Sequence, residues 1–297
     1  MWIVDYFTKI KQSFARTNIP AKLIYINVGV FILISLINVC CTLFQIGDTG
    51  FLRYLQMSSS WHLLLYRPWT IITYMFLHVE VLHILINMLW LYWFGRIFLL
   101  YFNARQFGGL YIAGGIFGAF FFIIAYNSFP YFTHVVGSGF LMGASASVMA
   151  IVFAVSFYRK NHEINLLFIG RIKLIYLALC ALVIDLLSVV SANAGGHIAH
   201  IGGALFGILF AVQYQKGKDI TASINRLIDR LVNWKKRQPP RMKVVYRKQE
   251  SDAEFNMRKR KEMDTLDEIL DKLKHSGYQS LSSEEKRLLF IASEKQK

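Results

Sequence analysis

The stretch from Gln106 to Tyr158, QFGGLYIAGGIFGAFFFIIAYNSFPYFTHVVGSGFLMGASASVMAIVFAVSFY, contains no Asp, Glu, Lys or Arg over 53 residues. A helix needs only about 20 residues to cross a bilayer, so this run holds two spans and a remainder. Asn127 to Gly139, with Pro130, Gly137 and Gly139, supplies the break between them. The spans are expected at about 107–126 and 139–158. Two other uncharged runs, Leu23 to Gly47 and Leu186 to Gln215, are 25 and 30 residues long. They supply a first span and a sixth at about 195–215, with Val81 to Phe102 as the second and Lys173 to Val190 as the fifth. The reading is an all-α polytopic membrane protein of six spans. Composition agrees, since 55% of residues are hydrophobic and 17% charged, against about 25% charged in soluble chains.

Of 297 residues, 33 are Lys or Arg and 18 Asp or Glu, a net charge of +15. These cations flank apolar spans and fill a tail rather than marking an aromatic nucleic-acid-binding face, so no nucleic acid is expected as a partner. In alternate loops they fall on one side: Lys9, Lys11, Arg16 and Lys22, then Arg96 and Arg105, then Arg159, Lys160, Arg171 and Lys173, then the tail from Lys216. The other side has only Arg53 and Arg67. The positive-inside rule then puts both termini in the cytoplasm.

Four regions are expected: an amphipathic N-terminal segment (1–20), the six-helix domain (21–215), a basic juxtamembrane helix and linker (216–252), and a small helical cytoplasmic module (253–297). Gly47 to Glu80, rich in aromatics, is expected to lie in the interface, His78 with it. In the tail, Ile220, Ile224, Leu227, Ile228 and Leu231 recur at helical spacing and suit a helix on the inner leaflet. Ser282 and Glu285 are spaced as a capping box. Cys40, Cys41 and Cys180 all lie in apolar runs and are expected to be packing residues.

Polar side chains at membrane depth are costly and therefore informative. At about 1.5 Å per residue from the outer span ends, His83 and Asn87 lie roughly 3 and 9 Å deep, Ser145 roughly 9 Å and His200 roughly 7 Å. A hydroxyl, two imidazoles and an amide at one level are the parts of an activated nucleophile and an oxyanion site. Ser145 lies in the first turns of span four, where unpaired N–H groups favour an anion. Gly196, His200, Gly203 and Gly207 form a small-residue face that allows spans four and six to close until Ser145 and His200 meet at about 3 Å. Asp185 could orient His200 or serve a purely structural end. His162 and Glu163 lack the second histidine of a zinc motif, Leu166 standing in its place. No three-ligand His, Cys or carboxylate cluster is expected at the outer level, and no metal or cofactor.

On His83-Ile-Leu-Ile-Asn87, Gly143-Ala-Ser145-Ala146 and Ala199-His200-Ile-Gly-Gly-Ala-Leu-Phe-Gly207, the chain resembles the rhomboid intramembrane serine proteases over about residues 20 to 215. The resemblance implies a Ser145 nucleophile with His200 as base in a dyad, His83 and Asn87 assisting the oxyanion, and Asp185 as a structural residue. It also implies transmembrane proteins as substrates, cut near the outer face. Arg67-Pro-Trp69 is similar to the family's Trp-Arg neighbourhood in altered order. Ala146 replaces the usual glycine and Met149 a common aromatic, while Leu99 and Leu100 stand where an acidic residue is frequent. Leu266 to Ser293 resembles a C-terminal extension of rhomboids from Bacteroidetes, implying a bacterial inner membrane. The alternatives are a catalytically silent rhomboid-like protein that binds membrane helices, and a transporter, which the absence of a charged pair in the spans disfavours.

Overall fold

A computed structural model describes residues 17–47, 50–166, 170–233 and 252–294. Most of the amphipathic N-terminal segment and of the basic linker lies outside them. The chain forms two compact units, Met1–Lys236 and Arg237–Lys297.

Among the described residues of the first unit, four helices are long and apolar enough to cross a membrane: α1 (Ile19–Leu43), α5 (Val81–Tyr101), α6 (Ala104–Ser128) and α9 (Ala194–Gln215). Between α1 and α5 lie α2 (Phe51–Leu55), α3 (Trp61–Tyr66) and α4 (Thr70–Thr73). Two shorter apolar helices complete the set, α7 (Ser145–Tyr158) and α8 (Leu174–Leu187), each of 14 residues. At about 1.5 Å per residue such a helix reaches roughly 21 Å, short of a bilayer's hydrocarbon core. For α7 the shortfall is explained by its surroundings. Every residue from Ala146 to Ser156 is buried, so the helix is sheathed by protein rather than lipid. The peripheral helices show the inverse surface of a protein embedded in lipid. Leu33 and Leu36 on α1, Leu82 on α5 and Leu187 on α8 are exposed. Cys40 and Cys180 are exposed as well and Cys41 half so, and therefore face the bilayer side of α1 and α8 instead of packing inside.

Glycines set how closely the central helices approach. A Cβ on Gly203 of α9 would stand 2.1 Å from the Ala146 carbonyl oxygen of α7, and one on Gly207 would stand 2.2 Å from that of Ala150. On α6, Gly114 and Gly118 meet the Ala150 and Ala146 methyls in the same way. The expected small-residue face thus exists at Gly203 and Gly207. Gly196 instead packs on the Asn193 side chain.

Residues 50–78 do more than lie in an interface. Trp61, Leu65 and Tyr66 are exposed, but Met57, Tyr74, Met75 and Leu77 are fully buried. The Tyr74 hydroxyl donates to the Gly115 carbonyl at 2.6 Å, and Tyr111 donates to that of Met75 at 3.1 Å. The segment is plugged into the bundle. Trp69 Nε1 donates to the Tyr54 carbonyl at 2.8 Å, and the Arg67 guanidinium stacks 3.9 Å over the Tyr54 ring, which fixes α2. Two short antiparallel pairs add to the helices. Strand β1 (Met57–Ser58) pairs with β2 (Phe140–Leu141), and β3 (Glu163–Leu166) with β4 (Gly170–Lys173).

Helix α10 (Ala222–Asn233) packs on the start of α6. Asn225 lies against Gly109, Asp229 pairs with Arg105, and Asp219 accepts from Gln106 Nε2 at 3.1 Å. Ile224 and Ile228 are half-buried while Leu227 and Leu231 are exposed, an apolar stripe free to meet lipid. In the second unit, α11 (Asp252–Ser276) and α12 (Ser283–Glu294) flank a short turn. The capping box forms. Ser282 N–H donates to Glu285 Oε2 at 2.6 Å and Glu285 N–H to Ser282 Oγ at 3.3 Å, bonds that with Lys272 hold the Glu285 carboxyl below the usual range.

Candidate active site at the head of the buried helix

Span four does not begin as helix at 139. Phe140 and Leu141 are extended, paired with Ser58 and Met57, and the helix starts at Ser145 itself. Gly143 explains the break, because its φ of +118° is a conformation that side-chain-bearing residues rarely adopt. The first loop holds this approach in place. Ser59 N–H donates to the Gly139 carbonyl at 3.0 Å, Gly143 N–H to that of Tyr74 at 2.9 Å, and Ala144 N–H to His78 Nε2 at 3.4 Å. Ser145 therefore occupies the first helical position, where backbone N–H groups have no partner within the helix. Its neighbour two residues on differs: Ser147 Oγ is buried, unpaired and turned toward Gly115 of α6.

Helix α5 brings His83 to the same place. A point beside Gly143, where its Cβ would stand, lies 3.0 Å from His83 Nε2 and 3.8 Å from Ser145 Oγ. Asn87, one turn deeper and buried, uses one Nδ2 hydrogen on the His83 carbonyl at 3.0 Å, leaving its second free to donate. His78 is not interfacial as expected. It is fully buried beside His83, ring centroids 5.0 Å apart, and burial, with His83 acting the same way, pushes its pKa down to about 4.

The base candidate stands on α9. His200 lies one turn before Gly203, whose Cβ would stand 2.1 Å from the carbonyl oxygen of Ala146, the residue after Ser145, so both head the same α7–α9 contact. Its Nδ1 is 2.8 Å from Asp185 Oδ1 on α8, and His197 Nδ1 is 2.8 Å from the same oxygen. Asp185 is buried, and the two histidine side chains are 20% and 21% exposed. Two expectations are corrected here. A three-ligand cluster does exist, since donor atoms of Asp185, His197 and His200 lie within 4.8 Å of one another. The Ser145–His200 bond of about 3 Å is not formed, as Ser145 Oγ makes no side-chain hydrogen bond among the described residues. His162, by contrast, is engaged by the Tyr101 hydroxyl at 2.7 Å.

The model of the Rhomboid domain matches residues 66–216, the segment that carries His78, His83, Asn87, Ser145, Asp185, His197 and His200. The chain belongs to the rhomboid family. Its relatives include the RHOMBOID-like protein 12, mitochondrial, of Arabidopsis thaliana, 26% identical over 217 residues, covering 70% of this chain and 61% of that protein. Another is the Presenilin-associated rhomboid-like protein A, mitochondrial, of Danio rerio, 30% identical over 138 residues, 46% of this chain and 34% of that one. The chain thus spans less than two thirds of the length of either relative. Residues 249–295 match a family of unknown function, DUF6576.

In this rhomboid fold, sequence reasoning passed over His78 and undervalued Asp185. A signal for His78 was present, a second histidine five residues before His83 on the approach to α5. For Asp185 there was only its cost, an ionisable group in an apolar helix.

Proposed function

We propose that this rhomboid is an intramembrane serine endopeptidase that cleaves transmembrane segments near the outer face of a bacterial inner membrane, with both termini cytoplasmic. The observation that carries the reading is the meeting of Ser145 and His83 around Gly143, with the helix turn that bears His200 packed through Gly203 on the backbone of Ala146. Asp185 accepts from His200 Nδ1–H, and this tautomer leaves the Nε2 lone pair as the base. His200 takes the Ser145 proton as Oγ attacks the peptide carbonyl, then returns it to the leaving amine. Water hydrolyses the resulting acyl-enzyme by the same exchange. The Ser145 N–H, His83 Nε2 and Asn87 Nδ2 supply donors for the oxyanion. The positive-inside distribution supports the topology, and the tail resemblance the bacterial membrane. No cofactor takes part.

The test uses purified protein in proteoliposomes with a fluorogenic transmembrane peptide. Wild type cleaves it and Ser145→Ala does not. Equal cleavage by both removes Ser145 as the nucleophile, and cleavage by neither when both are correctly inserted leaves the silent helix-binding rhomboid as the better account.

A further inference from the structure

We propose that Asp185, His197 and His200 form a zinc-binding site that switches the protease off. The inference rests on the function proposed above only for its inhibitory half. The donor set is two imidazole nitrogens and a carboxylate oxygen, which suits zinc over magnesium or calcium. His197 and His200 are three residues apart on α9, so their rings share a face, and Asp185 reaches them from α8. Both Nδ1 atoms already point at one oxygen at 2.8 Å, and the rings stand 79° apart. Tetrahedral zinc with bonds of about 2.0–2.1 Å needs donors roughly 3.3 Å apart, so each histidine–Asp185 pair opens by about 0.5 Å. The two histidines keep about a fifth of their side-chain surface exposed, leaving a way in and room for a water as fourth ligand.

The chemical consequence follows from which nitrogen is occupied. Without metal, His200 carries its proton on Nδ1, donated to Asp185, and Nε2 keeps the lone pair that takes the Ser145 proton in the reaction. Zinc on Nδ1 displaces that proton to solvent, and the neutral ring takes one up on Nε2, with no net change. Nε2–H is then a donor and cannot deprotonate Ser145. The ion also draws Asp185 away from orienting the base.

Binding is read first on inactive Ser145→Ala protein, from the visible absorption of cobalt(II) and from zinc calorimetry. One ion per chain is expected, with affinity weakened at least tenfold in His197→Ala and in Asp185→Asn, the second variant preserving shape should the first unfold. On wild type, zinc is expected to lower cleavage at least tenfold and chelator to restore it, while His197→Ala cleaves and resists zinc. Absence of one-to-one binding, binding that survives both substitutions, or equal inhibition of His197→Ala overturns the site. Binding without inhibition overturns the switch. If wild type cleaves nothing even in chelator, the protease reading fails, and the site stands or falls on the cobalt spectrum.

Discussion

Gly203→Ala puts one methyl group where the structure has no room for it. The added Cβ would stand 2.1 Å from the Ala146 oxygen, 2.9 Å from its carbonyl carbon and 3.1 Å from its Cα, all of them backbone. No side chain can rotate aside, so α7 and α9 must part by about 1 Å to restore contact near van der Waals distance. Ala146 follows Ser145 and Gly203 lies one turn from His200, so the separation falls directly on the reacting pair. A misplacement of about 1 Å costs roughly 100-fold in rate, and overpacking of this kind costs about 1–3 kcal/mol of stability. The control is Gly29→Ala on α1, where no atom lies within 4 Å of the added methyl. Both changes gain the same helix propensity of about 1 kcal/mol, so their difference isolates the clash. The assay is turnover of a fluorogenic transmembrane substrate in proteoliposomes, beside thermal unfolding in detergent. Turnover of Gly203→Ala within about twofold of Gly29→Ala would show that close approach of these helices does not hold the site together.

Other outcomes follow from the same geometry. His200→Ala should lose several orders of magnitude in turnover, as removal of a catalytic base does elsewhere, whereas His197→Ala keeps measurable cleavage; the reverse pattern in properly inserted variants refutes the assignment of the base. Because His78 has its pKa lowered from 6.5 to about 4 when folded, the unfolded chain binds more protons between those values, so stability falls as pH drops from about 6.5 to 4. His78→Asn should flatten that fall in a melting series, and an unchanged slope contradicts the burial argument. Ending the chain after Asn233 should leave turnover on a minimal substrate intact, but ending it after Asp219 also removes Asn225 and Asp229 from α6 and should lower the melting temperature. Equal melting of the two truncations shows that α10 adds nothing to the bundle.

Uncharged runs made the apolar helices legible, because hydrocarbon excludes ionised groups over lengths that sequence displays directly. The Gly203 and Gly207 stripe was legible for a similar reason, one helix carrying the whole pattern. The start of span four was not. Gly139 to Ala144 is as apolar as a helix, and only the pairing of Phe140–Leu141 with Met57–Ser58, about 80 residues earlier, together with the positive φ of Gly143, keeps it from being one. His78 was misplaced because its burial depends on Ala144 and His83 arriving from two later segments. The Asp185 bonds join helices whose spacing fixes no relative rotation, so a resemblance that assigns a two-residue mechanism set that carboxylate aside.

The central claim, that Ser145 is a nucleophile activated by His200, is met most directly by fluorophosphonate labelling of the membrane-inserted protein, with the modified residue located by peptide mass spectrometry. The account predicts phosphonylation of wild type at Ser145, none in Ser145→Ala, and strongly slowed labelling in His200→Ala. Modification at Ser147 or elsewhere, or cleavage that persists in Ser145→Ala, would contradict it.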